Sequence, residues 1–338
     1  MKHQLPAFFL ALLFAGNTLA GVAPVADAAL QQRPELAAFI SAMVDKHGFD
    51  RASLQALFRE VRLKPGIIRA IGKPAENKRW DEYEPMFVTP VRIGGGVKFY
   101  DENSAALARA ESEYGVPAEV IAAVIGVETG YGRNTGSYRV MDALTTLALD
   151  YPSRAPFFLG ELENYLLLAQ QEGIAPLSMK GSYAGAMGIG QFMPGSYLRY
   201  AVDFDGDGRR DLGHDTADAI GSVANYLAAH GWEQGQPVAV PARVDGEEFR
   251  GLLGRGFDSM RSMAELQQLG VTAPNAPAAE KQAQLLSLET RGGPQYWLGF
   301  NNFYVITRYN RSIYYAMAVY QLSREIRHAH RSSIGLSD

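Results

Sequence analysis

The sequence predicts a mainly α protein with a small α+β subdomain, and three observations carry that expectation. Apolar residues recur at helical spacing through most of residues 34–230 and again after residue 297. Only residues 237–293 change texture: 237–244 alternates like a short strand, and 252–279 mixes short helical pieces with glycine and proline. With 338 residues, 47% hydrophobic and 20% charged, the chain can bury a substantial core with one or two appended subdomains.

The start places Lys2 and His3 before an apolar run over residues 5–15, followed by small residues ending at Thr18-Leu19-Ala20. This pattern predicts a secretory signal over residues 1–28, cleaved after Ala20 or in the alanine-rich stretch up to Ala29, and too short to anchor in a bilayer. The expected destination is the periplasm, as a soluble protein with no membrane anchor. There is no cysteine, so a disulfide framework, a thiol nucleophile, Cys-ligated zinc and a lipoprotein anchor are all excluded. A net charge of −4 gives no electrostatic case for nucleic acid or an anionic membrane.

Over residues 34–71, Leu36, Phe39, Ile40, Met43 and Val44 mark one amphipathic helix that ends at His47-Gly48. Asp50 can cap a second, carrying Leu54, Leu57, Phe58 and Val61. Residues 74–90 are turn-rich and contain Trp80 and Tyr83, either exposed for stacking on sugar rings or tucked onto the core. The following Gly94-Gly95-Gly96 cannot be regular helix. Ser104 can cap a helix holding Leu107 and Ala110, and Pro117 starts the next. Helical signals continue over residues 141–149 and 157–168, where Phe158, Leu159, Leu162, Tyr165 and Leu166 form a broad apolar face.

The helix after Pro117 carries a carboxyl on its oily face. Val120, Ile121, Val124, Ile125 and Val127 recur at helical spacing, and Glu128 falls four residues after Val124 and seven after Ile121. Burial, and the partial negative charge of a helix C-terminus signalled by Gly130, both disfavour the ionised form and raise its pKa. A carboxylic acid still protonated near neutral pH can donate a proton to a poor leaving group such as a glycosidic oxygen. The alternative is a helix-end Glu turned to solvent or paired with Arg133.

Further along, Gly181, Gly185, Gly188, Gly190 and Gly195 interleave with Ser182, Tyr183, Met187, Gln191 and Tyr197. Backbone can approach a ligand closely there while a few polar groups orient it; a glycine-eased helix contact is the plainer reading. Next, Asp203, Asp205 and Asp207 with Gly208 close behind and Gly206 between them match the first half of an EF-hand loop, with Arg209 offering its carbonyl. His214 stands where the closing Glu belongs, so a longer loop closed by Asp215 or Asp218 is required. The tail over residues 297–327 is dense in tyrosine and asparagine, including Tyr309, Asn310, Tyr314 and Tyr315, which suit stacking on and hydrogen bonding to a sugar polymer or, equally, a buried helix with satisfied hydroxyls.

Taken together, VIGVETGYG around Glu128, AGAMGIGQFMPGSY, the DxDxDG loop, DAIGSVANYLAAHGW and FYVITRYNRSIYYAMAVYQL make the chain resemble the B-type lytic transglycosylases, which cleave the glycan strands of bacterial peptidoglycan. The resemblance implies a lysozyme-like helical core over residues 109–236, completed by 295–315 and bearing the calcium loop 203–218. It also implies a helical N-terminal domain over 30–108, completed by 312–330, and a small α+β subdomain over 237–294. It implies Glu128 as the catalytic acid. Tyr83, Ser182, Met187, Gln191, Tyr226, Tyr309, Asn310 and Tyr315 would line the glycan groove. A structural calcium would sit among Asp203, Asp205, Asp207, Arg209 and Asp218, and no organic cofactor is implied. The implied reaction uses one carboxyl, first as acid on the bond between N-acetylmuramic acid and N-acetylglucosamine and then as base on the C6 hydroxyl, leaving a 1,6-anhydro end. Peptidoglycan strands are the implied partner, with cell-wall synthesis proteins as further candidates. The rivals are a hydrolytic muramidase, in which a second acid such as Asp142 activates water, and a catalytically silent peptidoglycan-binding scaffold.

Overall fold

The computed structural model describes residues 28–71, 78–257, 260–274 and 278–335; the expected leader, apart from Ala28, lies outside them. Their contacts gather into two compact units, one holding residues 78–131 and 220–335, the other residues 28–71 and 132–219.

In the first unit the helix Ala118–Thr129 is the centre. Every residue in it except Glu119 is buried, as the unbroken apolar run over residues 120–127 requires. Three helices cover it: Pro90–Glu102, Ser104–Tyr114 and the C-terminal Ile313–Ser333. Gly130 ends it in the left-handed conformation (φ 58°).

Two expectations for this unit are corrected. The glycine triplet is helical: Pro90–Glu102 runs straight through Gly94, Gly95 and Gly96, started by Pro90 and by Thr89, whose side chain accepts from the Arg92 N–H (3.1 Å). Each glycine costs a helix about 1 kcal/mol relative to alanine, but Gly96 faces a very close neighbour. A Cβ there would stand 2.5 Å from Ile326 and 2.7 Å from the Tyr131 hydroxyl. Close packing against the C-terminal helix outweighs intrinsic propensity. Ser104, in turn, is the first helical residue rather than the cap; Asn103 precedes it and donates back to the Phe99 carbonyl (2.8 Å). Of the two readings of Trp80 and Tyr83, the tucked one holds. They lie on a short helix, Trp80–Tyr83, each only 2% exposed, with both rings 5.5 Å from that of Tyr314.

The α+β insertion forms as the texture change implied. Ala239–Pro241, Gln295–Gly299, Gln282–Leu288 and Arg261–Ser262 make a four-stranded antiparallel sheet in that order, and Arg243–Val244 pairs with Val271–Thr272. Phe249, Leu266, Val271, Leu285 and Leu298 form a separate small core there.

The second unit is helical with one ribbon. Pro34–His47 ends at left-handed Gly48, and Asp50 caps Arg51–Arg59 by accepting from the Ser53 N–H (2.7 Å). Val140–Asp150 packs on Ala155–Gln171 and on Pro65–Ile71, and the strands Tyr138–Arg139 and Lys180–Gly181 pair antiparallel.

Candidate active site

Glu128 sits one residue from the end of its helix, 6% exposed. Its Oε1 accepts a 2.6 Å hydrogen bond from the Tyr315 hydroxyl, and among the described residues no basic side chain pairs with it. Burial raises its pKa from an ordinary 4.5 to about 7, with the Tyr315 hydrogen bond pulling the other way. The carboxyl is therefore poised to hold a proton near neutrality and to release it.

Its placement has a local cause that the sequence reading missed. After Glu128 the chain passes through three consecutive left-handed residues, Gly130, Tyr131 and Gly132 (φ 58°, 66° and 79°). A tyrosine is strained there. The reversal folds the Tyr131 ring under the helix, where Gly126 makes room for it: a Cβ at Gly126 would come within 2.6 Å of the ring. The ring also lies 5.5 Å from that of Phe99, and its hydroxyl donates to the Arg92 carbonyl (2.8 Å). The motif's glycines were visible in the sequence; the notch they build was not.

Tyrosines surround the acid. Burial raises the pKa of Tyr83, Tyr309 and Tyr315, and the charge of Glu128 raises each further. Tyr226 packs edge-on against Tyr309 at 4.8 Å and donates to the Arg308 carbonyl (2.6 Å). Beside them Asn310 is 9% exposed, and its buried Oδ1 accepts no hydrogen bond.

In the second unit Ser182, Met187 and Gln191 share one compact turn. Ser182 Oγ accepts from the Ala186 N–H (3.1 Å), Met187 is fully buried and bridges to Gly181 and Phe192, and Gln191 is left-handed (φ 52°). Gln191 Nε2 donates to the Thr135 and Gly188 carbonyls, both at 3.0 Å, while its buried Oε1 accepts no hydrogen bond. Gly136 packs so tightly on Gly181 that a Cβ there would overlap the Gly181 carbonyl. Ser182 and Met187 thus shape the turn, and Gln191 keeps an acceptor unspent.

Asp142, the rival second acid, is 1% exposed and fully engaged. It accepts from Arg139 at 2.8 and 3.0 Å and from the Arg62 N–H at 3.0 Å, with Lys64 Nζ 3.7 Å away.

Asp203, Asp205 and Asp218 each offer a carboxylate oxygen within 4.8 Å of the others, a donor set that suits a hard cation. Backbone N–H groups hold these carboxylates: Asp218 accepts from Phe204 (2.6 Å) and Asp211 (2.7 Å), and Asp203 from Gly206 (2.8 Å) and Gly208 (2.9 Å). Asp207 lies outside that trio and accepts from the Arg209 N–H (2.8 Å). Asp215 accepts from the Asp218 N–H (3.0 Å), at the start of the helix Thr216–Ala229.

Residues 31–324 match the family model described as a transglycosylase SLT domain. The chain is similar to membrane-bound lytic murein transglycosylase B of Escherichia coli K12, at 46% identity over 87% of this chain and 82% of that one. Among solved structures it is similar to the soluble lytic transglycosylase SltB1 of Pseudomonas aeruginosa, with 51% identity, 88% and 99% of the two chains covered, and a TM-score of 0.83. The E. coli lytic transglycosylase Slt35 in complex with calcium is similar at 47% identity, covering 88% and 94%, with a TM-score of 0.82. With its lysozyme-like helical fold, the chain belongs to the transglycosylase SLT domain family, as a lytic transglycosylase of the B type.

Proposed function

We propose that this enzyme cleaves the glycan of peptidoglycan between N-acetylmuramic acid and N-acetylglucosamine, with Glu128 as its only catalytic carboxyl. The observation that carries the reading is the company of Glu128: a buried carboxyl among tyrosines, hydrogen-bonded to a neutral phenol, with a pKa raised to about 7. Protonated, it gives its proton to the glycosidic oxygen; the substrate's own N-acetyl group stabilises the oxocarbenium-like centre that forms. Ionised, Glu128 then takes the proton of the C6 hydroxyl, and that oxygen closes on C1 to leave a 1,6-anhydro end. Each unit holds a buried amide oxygen that accepts no hydrogen bond, Asn310 Oδ1 in the first and Gln191 Oε1 in the second, and each by itself suits a hydroxyl or N–H donor of a sugar. A hydrolytic route through Asp142 is disfavoured because its oxygens are already taken by Arg139 and the Arg62 N–H.

Asp203, Asp205 and Asp218, with Asp207 and the Arg209 carbonyl completing the loop, would hold a structural calcium whose charge offsets the repulsion of the gathered carboxylates. Among the described residues no helix is long and apolar enough to cross a membrane, and with the leader expected over residues 1–28 the enzyme works in the periplasm. The domain boundaries at 108, 236 and 294 belong to the same proposal.

The test is mass spectrometry of the fragments released from purified sacculi. Anhydro ends, lighter by one water than hydrolytic ends, support the reading, and reducing ends overturn it. Glu128→Gln should lower turnover by about three orders of magnitude while leaving glycan binding in place.

A further inference from the structure

The C-terminal helix Ile313–Ser333 meets Glu128 through its first turn, the part of a helix that holds together least well. The N–H groups of a first turn have no partner within the helix, so the turn frays unless some other group accepts from them. Its sequence offers little help, since Ile313, Tyr314 and Tyr315 are middling helix formers. Yet Tyr315, the third residue in, carries the hydroxyl that lies 2.6 Å from Glu128 Oε1.

Ser312 supplies the missing acceptor. It is 9% exposed, its backbone is extended (φ −134°, ψ 129°), and its Oγ accepts from the Tyr315 N–H at 3.2 Å. Its carbonyl accepts from the Ala316 N–H (3.0 Å), and its own N–H donates to the Asn310 carbonyl (2.7 Å). One residue thus ties the peptide of Asn310, whose side chain keeps a buried acceptor, to the peptide of Tyr315.

Ser262, in the α+β insertion, shows the same cap serving its helix alone. Its Oγ accepts from the N–H of the third helical residue at the same 3.2 Å, and that residue is Glu265, whose carboxylate accepts in return from the Ser262 N–H (2.9 Å). After Ser312 the third position holds a tyrosine, and its hydroxyl is committed to Glu128. The place from which a side chain could complete the cap is given to the group that meets the acid. We infer that Ser312 is a positioning residue, which by fixing the Tyr315 peptide holds the Tyr315 hydroxyl on Glu128. Its consequence for turnover rests on the reading of Glu128 as the catalytic acid. The competing anchor is Tyr314, which packs against Trp80 and Tyr83 and accepts from the Glu289 N–H (3.3 Å).

The experiment follows the Glu128 carboxyl by NMR titration in wild type, S312A, Y315F and S312A/Y315F, with S262A as a cap removed elsewhere. Besides Tyr315, the titratable groups coupled to Glu128 are Tyr83 and Tyr309, intact in every variant. Y315F should raise the proton affinity of Glu128 about tenfold, as loss of one hydrogen bond to a charged group implies. S312A should raise it about threefold through partial fraying of the turn, and S312A/Y315F should match Y315F alone. S312T, which keeps the acceptor, should restore the wild-type titration. S262A should lower the melting temperature and leave Glu128 unmoved. S312G is the second variant: glycine is tolerated at a cap with little loss of stability but offers no acceptor, so its titration should match that of S312A. An unchanged titration in S312A and S312G, as anchoring by Tyr314 would give, overturns the inference, and so does an equal shift with and without the Tyr315 oxygen. The reading of Glu128 as the acid fails separately, through turnover that survives in E128Q, and that failure leaves the titration result standing.

Discussion

Glu128 and Asp142 are both almost wholly buried carboxyls, at 6% and 1% exposure, each on a helix in its own unit, yet their surroundings are opposite. Asp142 lies in the first turn of its helix with Arg139, Lys64 and a backbone N–H committed to it. Glu128 lies in the last turn of its helix, hydrogen-bonded to one phenol among other aromatic rings. Burial alone does not make a catalytic acid. Where cations and N–H donors accompany the carboxyl, its charge is satisfied and it holds structure; where apolar walls and a neutral donor accompany it, ionisation is deferred to a pH at which the proton is useful.

That contrast predicts opposite signs for two similar substitutions. Asp142→Asn removes the partner of a buried ion pair and should cost about 3 kcal/mol of stability, read by denaturant melts. Glu128→Gln should stabilise. Below pH 4.5 the folded and unfolded carboxyls are both protonated and wild type carries no penalty. As pH rises from 4.5 to about 7 the folded state retains a proton that the unfolded state has lost, so wild-type stability falls. The neutral amide lacks this dependence, and its advantage should grow through that window to about 3 kcal/mol at most. A destabilised Glu128→Gln at pH 8 would break the comparison.

Smaller effects sharpen it. Gly96→Ala drives a methyl against Ile326 and the Tyr131 hydroxyl, and should cost about 1–3 kcal/mol by thermal melting. Chelation of calcium should lower the melting temperature by a few degrees through loss of a ligand bound only by the folded state, and an unchanged melt would count against the acidic loop as a metal site. Tyr315→Phe removes the phenol that favours ionised Glu128, so the alkaline limb of the pH–rate profile should move upward; a downward move would mean that the hydrogen bond favours the neutral acid.

What could be read from the sequence was local. Glu128 on an apolar helical face, the stop at Gly130, the cap at Asp50 and the aspartate spacing of residues 203–207 all lie within a turn or two of chain, where periodicity and capping rules apply. What could not be read depends on distant partners. The hydroxyl that meets Glu128 comes from Tyr315, 187 residues later. The glycine triplet joins a helix because Ile326 and Tyr131 press on Gly96, a contact that no local propensity contains. The engagement of Asp142 draws on residues 62 and 64, some eighty positions earlier. Trp80 and Tyr83 offered two readings from composition, and it takes the ring of Tyr314, from the C-terminal segment, to decide between them.

The most direct test of the account is the pKa of Glu128 itself, followed by NMR of the side-chain carboxyl carbon in protein labelled at glutamate and assigned by its absence in Glu128→Gln. A titration near pH 7 is the predicted result. An ordinary value near 4.5 would contradict it: Glu128 would be ionised at working pH, and the proton for the leaving oxygen would have to come from another group.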